Sequence, residues 1–256
     1  MITIYDQSAK GNHLLSRHPG RHFPVDYGVN ASAQPVLVDD HRVYGARFDE
    51  GMGYRNDHTV GLAVGEEPES MYAVMGGDHY NDVCCFDYGN AENHFGADGA
   101  GTMEAIYYGN CTSWWAKDDR AHIPKSWHGP ILMADLEAGM YGGNDTFSPQ
   151  NSPIDFEFNT LLLKGRKCEM SLKGGNAQAG QLMTKYDGGR PTHADYNPMR
   201  KQGGLVLGTG GDNSDRALGI FYEGAMTTGY ASAACDDAIQ ANIVAAGYTG
   251  AGAAVE

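Results

Sequence analysis

The residues of this chain best suited to chemistry are acids and adjacent cysteines. The run Ile131-Leu132-Met133-Ala134-Asp135-Leu136-Glu137 alternates apolar and acidic residues toward its end. Read as one strand, it sends Asp135 and Glu137 to one face, roughly 7 Å apart at about 3.3 Å per residue, and Leu132, Ala134 and Leu136 to the other. On a concave face each carboxylate raises the other's cost of ionising, so the pair can divide binding and reaction between them. On an open face the same pattern is only a solvated acidic stripe. A third acid, Asp212, stands in Gly208-Thr209-Gly210-Gly211-Asp212-Asn213. The glycines there would let backbone approach a ligand closely, although Asp and Asn also serve ordinary turns.

Cys84 and Cys85 are neighbours in the chain. Reduced and on a strand, they point to opposite faces and need no relationship. Joined, they form a tight ring, because consecutive Cα atoms lie about 3.8 Å apart against a usual disulfide span of about 4.4–6.8 Å. The residues alone leave both readings open. Trp114 follows the sequon Asn110-Cys111-Thr112 and precedes Trp115; it could stack on the apolar face of a sugar or belong to a core. Glu104 and Glu223, in strand-like runs, suit either a groove or a hydrogen-bonded sheet position.

Other chemistries lack their residues. Ten histidines show no HExxH spacing and five cysteines form no CxxC pair, so neither a zincin site nor a zinc ribbon is expected. There is no GxSxG elbow and no GxxxxGK[ST] phosphate loop. With 18 Lys and Arg against 32 Asp and Glu, the formal net charge of −14 opposes nucleic acid and anionic lipid. A neutral substrate, taken without metal or organic cofactor, is the expectation, carbohydrate included.

The elements that must position these groups read as β-structure. The chain has 256 residues and 36 glycines, about twice the ordinary glycine usage, scattered without a period of three. That suits many short strands joined by tight turns. Strand-like runs occur at Ile2–Tyr5, Arg42–Phe48, Met71–Met75, Thr102–Tyr108, Ile131–Glu137, Ile154–Leu163, Lys167–Leu172, Leu182–Tyr186, Gly204–Leu207 and Leu218–Met226. No crossover helices intervene, which argues against an α/β fold. One helix is expected at Asp236–Ala246: two acids suit its positive end, Ile239 and Ile243 share a face, and Gly247 can stop it. Residues 11–38 form the least regular stretch. A single domain over residues 1–256, an all-β jelly-roll sandwich with a short C-terminal helix, is the economical reading. No stretch reaches the length of a membrane span, and the start lacks the pattern of a signal peptide.

Several segments together resemble a known family. His79-Tyr80-Asn81-Asp82-Val83-Cys84-Cys85-Phe86-Asp87-Tyr88-Gly89-Asn90-Ala91-Glu92 is similar to the catalytic domain of glycoside hydrolase family 54 α-L-arabinofuranosidases. So are Gly101-Thr102-Met103-Glu104-Ala105-Ile106-Tyr107, Tyr196-Asn197-Pro198-Met199, Gly210-Gly211-Asp212-Asn213-Ser214, Phe221-Tyr222-Glu223-Gly224 and Asn242-Ile243-Val244-Ala245-Ala246, in order from Ile2 to about Tyr248. The resemblance implies a concanavalin-like β-sandwich and a retaining exo-glycosidase releasing terminal α-L-arabinofuranosyl groups from arabinan or arabinoxylan side chains. It implies Glu137 as nucleophile, Asp212 as general acid/base, Asp135 as a holder of sugar hydroxyls and Gly211 as backbone beside the ring. It further implies Trp114 as an aromatic wall and Cys84–Cys85 as a vicinal disulfide against the furanose.

The chain departs from the family in four places. The family's N-terminal stretch and its C-terminal arabinose-binding β-trefoil module have no counterpart here, the Asn after the nucleophile is Ala138, and the loop Trp115–Gly129 is longer. A monomer secreted to an oxidising compartment is the remaining expectation. The competing readings are a sugar-binding jelly-roll module without activity, and the same chemistry on another furanoside such as β-D-galactofuranose.

Overall fold

Strand β6, Glu69–Gly76, shows how the sequence builds the core. Met71, Ala73 and Met75 point one way into the main apolar cluster, while Tyr72 and Val74 point the other way into a second cluster with Ile243 and Tyr248. A strand covered on both faces reads as a continuous apolar run.

The computed structural model describes residues 1–16, 20–25, 27–112, 121–191 and 196–251. Their strands pair antiparallel into two eight-stranded sheets. The first runs β1 (Thr3–Ile4), β2 (Leu14–Ser16), β5 (Tyr54–Asn56), β14 (Gly204–Leu207), β7 (Asp87–Ala91), β8 (Glu104–Gly109), β9 (Ile131–Asp135) and β10 (Met140–Tyr141). The second runs β13 (Met183–Gly189), β12 (Glu169–Asn176), β11 (Phe158–Arg166), β6, β15 (Gly219–Thr228), β4 (His41–Phe48), β3 (Gln34–Val38) and β16 (Thr249–Gly250). Ile106, Tyr108, Leu132, Ala134, Leu205 and Leu207 of the first sheet meet Met71, Ala73, Leu161 and Leu163 of the second in one buried core. The expected all-β sandwich is the fold found.

The single described helix, α1, spans Ala233–Ala245 and lies on the outer face of the second sheet. It starts three residues before the expected Asp236, because Ser232 caps it by accepting from the Cys235 N–H at 3.2 Å. Asp236 is buried, and Lys164 of β11 and Lys173 of β12 donate to its carboxylate at 2.6 and 2.7 Å, tying the helix to the sheet. No described helix is long and apolar enough to cross a membrane.

The irregular stretch contains β2 and β3, and β7 was hidden by its composition. Asp-Tyr-Gly-Asn-Ala reads as a turn, yet every residue of it is buried between β14 and β8. Asn90 is satisfied there by donating to the Ala63 carbonyl and to Glu69. The register places Gly89 opposite Ala105, and Ala105 opposite Asp135. Asp87, Tyr107, Met133 and Asp135 therefore share the face turned away from the core.

Candidate active site

Strand β9 ends at Asp135, so the expected single strand carrying both acids is shorter than the sequence pattern suggested. Leu136 keeps its place in the core, and its N–H donates to the Gly139 carbonyl at 3.2 Å, closing a tight turn into β10. Glu137 and Ala138 both sit at φ 56° within that turn. Two successive non-glycine residues in the left-handed region cost about 1–2 kcal/mol each, the kind of strain that collects at functional sites. Asp135 Oδ1 accepts the Glu137 N–H at 2.9 Å and holds the turn. Hydrogen bonding across a turn, and not strand alternation, sets Glu137 beside Asp135.

Asp212 is presented by the loop after β14. The Gly210 N–H donates to the Ser214 carbonyl and the Asn213 N–H donates to the Gly210 carbonyl, so the loop closes on itself. Gly211 is required by close packing: a Cβ there would lie 2.1 Å from Glu92 Oε2 and 2.7 Å from Met103 Sδ. Asp212 Oδ1 accepts from the Ser214 N–H at 2.9 Å, and its Oδ2 is ion-paired with Arg21. The Arg21 segment is itself pinned, since the His22 and Phe23 N–H groups donate to buried Asp215. Cys84 and Cys85 are joined in a vicinal disulfide, with Cys85 Sγ 3.4 Å from Asp135 Oδ2.

These pieces converge. Cys84, Cys85, Asp135, Glu137, Gly211 and Asp212 line one open cleft, closed by Ala138, Gly139, Met140, Gly210 and Ser214. Trp114 lies outside the described residues. Glu104 is no groove residue: it is buried and paired with Arg190 at 2.6 Å and Lys201 at 2.8 Å. Burial opposes its ionisation, but those two cations hold it below the usual carboxylate range. Glu223 is half-buried and hydrogen-bonded to Tyr248, outside the cleft.

The cleft is short of positive charge. Burial pushes Glu137 up to about 9, with the neighbouring Asp135, Glu92 and Asp98 adding to the rise against a small opposing pull from Arg21. Asp135 is pushed up to about 7 by burial, although the Glu137 N–H favours its charged form. Beneath them Asp87 is fully buried and raised well above the ordinary carboxylate range, by burial first and then by Asp135. Carboxyls this close hold protons that water would remove.

Asp87, Glu92, Arg21 and Arg55 were not singled out from the sequence. Asp87 stands only two residues beyond Cys85, at the first position of β7. The others come from distant segments. Cys84 Sγ, Cys85 Sγ and an Asp135 oxygen lie within 4.8 Å of one another. The disulfide removes the thiolates a soft cation needs, so one carboxylate remains and a metal does not fit. Chemically, the cleft can bring a nucleophilic carboxylate and a proton-carrying carboxyl to one bound group.

Comparison with known proteins shows the family. The family described as "Alpha-L-arabinofuranosidase B, catalytic" matches residues 1–249. The chain is 46% identical over 255 residues to a probable alpha-L-arabinofuranosidase B of Aspergillus fumigatus, covering 97% of this chain and 49% of that one. It is 46% identical to the alpha-L-arabinofuranosidase B of Aspergillus niger, covering 97% and 50%. It thus spans about half the length of the curated relatives it matches. An arabinofuranosidase crystallised with arabinofuranosyl-alpha-1,2-xylobiose superposes with a TM-score of 0.89 at 44% identity, over 97% of this chain and 51% of that one. A mutant GH54 α-L-arabinofuranosidase soaked with 4-nitrophenyl α-L-arabinofuranoside gives 0.88 at 43%, with the same coverage. Nearly the whole chain is matched, in order and in three dimensions, and the chain belongs to the family of alpha-L-arabinofuranosidase B catalytic domains, glycoside hydrolase family 54.

Proposed function

We propose that residues 1–256 act as one catalytic unit that releases terminal α-L-arabinofuranosyl groups from arabinan or arabinoxylan side chains with retention of configuration. The observation that carries the reading is that Glu137 and Asp212, 75 positions apart in sequence, line the same open cleft. Glu137 attacks the anomeric carbon as a carboxylate while Asp212 gives its proton to the departing glycosidic oxygen. An arabinosyl ester on Glu137 results. Asp212 then takes a proton from water, whose oxygen attacks the same carbon and frees Glu137.

The starting state needs a charge on Glu137, which burial and its acidic neighbours oppose. Sugar hydroxyls donating to Asp135 and Glu137 supply the hydrogen bonds that favour the charged forms, so substrate binding prepares the nucleophile. Asp135 holds hydroxyls, the Gly211 backbone lies beside the ring, the Cys84–Cys85 disulfide offers an apolar wall, and Trp114 adds an aromatic one. Such a disulfide persists in oxidising compartments, which supports secretion.

The test is hydrolysis of 4-nitrophenyl α-L-arabinofuranoside and of an arabinofuranosylated xylobiose, with proton NMR of the first-formed sugar. Release of the α anomer, lost in Glu137→Gln, agrees with the proposal. Binding without product identifies a sugar-binding module, and faster turnover of a β-D-galactofuranoside reassigns the sugar.

A further inference from the structure

We infer that Arg55 is the positioning residue of the proton-transfer loop. This rests on the reading of Asp212 as general acid/base. Arg55 lies on β5, paired with Val206 of β14, and is only 8% exposed. Each of its five N–H groups has an acceptor. Nε donates to Asp57 at 2.7 Å, Nη1 to the Gly211 carbonyl at 2.9 Å and to Asn213 Oδ1 at 2.5 Å, and Nη2 to the carbonyls of Glu92 at 3.0 Å and His94 at 2.7 Å.

Two of those acceptors flank Asp212 on either side. The guanidinium thus grips the loop immediately before and immediately after the acid, while Glu92 Oε2 packs beneath Gly211. The same fork ties that loop to the Glu92–His94 segment after β7, a strand that begins two residues beyond the disulfide. Only a planar group with five donors in fixed directions can do this; an ammonium offers three donors on a flexible stem. Bonds from Gly210, Asn213 and Thr209 run within the loop, and Arg21 reaches it from the exposed side.

A displacement of about 1 Å at a catalytic group costs on the order of 100-fold in rate. A misplaced acid/base has a further signature. A leaving group that needs a proton is penalised, whereas an acidic phenol departs unaided. The second step then waits for a base, and azide, which needs none, relieves it.

The experiment compares wild type, Asp212→Ala and Arg55→Lys on two substrates, an arabinofuranosylated xylobiose and 2,4-dinitrophenyl α-L-arabinofuranoside, with and without azide. For Arg55→Lys the expectation is a loss of about 100-fold in kcat/KM on the xylobiose substrate, less than about 3-fold on the dinitrophenyl one, and azide acceleration of turnover on the latter. Asp212→Ala is expected to show the same pattern more strongly. If Asp212→Ala lacks the pattern, the acid/base reading itself fails. If Asp212→Ala shows it and Arg55→Lys loses both substrates in equal proportion, the role of Arg55 is overturned and that of Asp212 stands. Should circular dichroism show Arg55→Lys unfolded, Asn213→Gly takes its place. Asn213 stands at φ 59°, which glycine adopts freely, and the change removes one of the five acceptors. A selective loss of about 3–10-fold on the xylobiose substrate supports the inference, and an equal loss on both substrates overturns it.

Discussion

Replacing Glu137 by Gln is expected to stop turnover and at the same time stabilise the fold, increasingly so as the pH rises. Burial and acidic neighbours carry Glu137 from an ordinary 4.5 up to about 9. A carboxyl raised in the folded state holds its proton longer there than in the unfolded chain. Its contribution is fully present below pH 4.5 and is lost as the pH climbs toward 9. At about 1.36 kcal/mol per unit, the wild type forfeits roughly 3 kcal/mol by pH 7, and water in the open cleft reduces this to about 2 kcal/mol. The neutral amide forfeits none of it. For a domain of this size about 2 kcal/mol corresponds to a rise of about 4–8 °C in Tm. Thermal unfolding of both proteins, followed by circular dichroism from pH 4 to 8.5, reads the difference directly. A gap near zero at pH 4 that widens to several degrees at pH 7 is expected. A gap that does not vary with pH, or a variant less stable at pH 7, refutes the reasoning.

Three other outcomes follow from particular contacts. Gly211→Ala places a methyl 2.1 Å from Glu92 Oε2 and must shift the Asp212 loop, so kcat/KM should fall about 100-fold while Tm moves by only a few degrees; near-native activity would contradict that packing. Lys201→Met removes the cation bonded to Glu69 at 3.0 Å and Glu104 at 2.8 Å, and denaturant unfolding should show a loss of about 3–5 kcal/mol. Ala138→Asn puts at φ 56° a residue that tolerates the left-handed region, and should raise stability by about 0.5–1 kcal/mol in the same assay.

Local periodicity made part of the molecule legible. Leu132 and Ala134 face the core and Asp135 faces away from it, as alternation requires. Ile243 packs on the second sheet, and Gly247, at φ 65°, follows the end of the helix. Alternation misled where a hydrogen bond replaced it: Asp135 accepting from the Glu137 N–H ends β9 two residues early, and no hydropathy pattern reports such a turn. Strand β7 escaped because its Asn90 is satisfied by Ala63 and Glu69, more than 20 positions away in sequence. The Arg21 segment and the Arg55 fork were invisible for a like reason, as Asp215, which holds the first, and the Gly211 and Asn213 acceptors of the second lie more than 150 positions distant. The roles given to Glu137 and Asp212 came from the family resemblance, since either acid alone looks like an ordinary turn or strand residue.

The most direct measurement is chemical trapping. An arabinofuranose-configured cyclic sulfate is incubated with this protein, which is then digested and mapped by mass spectrometry. One equivalent of label on the peptide containing Glu137, absent in Glu137→Gln and retained in Asp212→Ala, is the result expected. Label on Asp135 or Asp212, or a fully active enzyme carrying none, would contradict the assignment of the nucleophile.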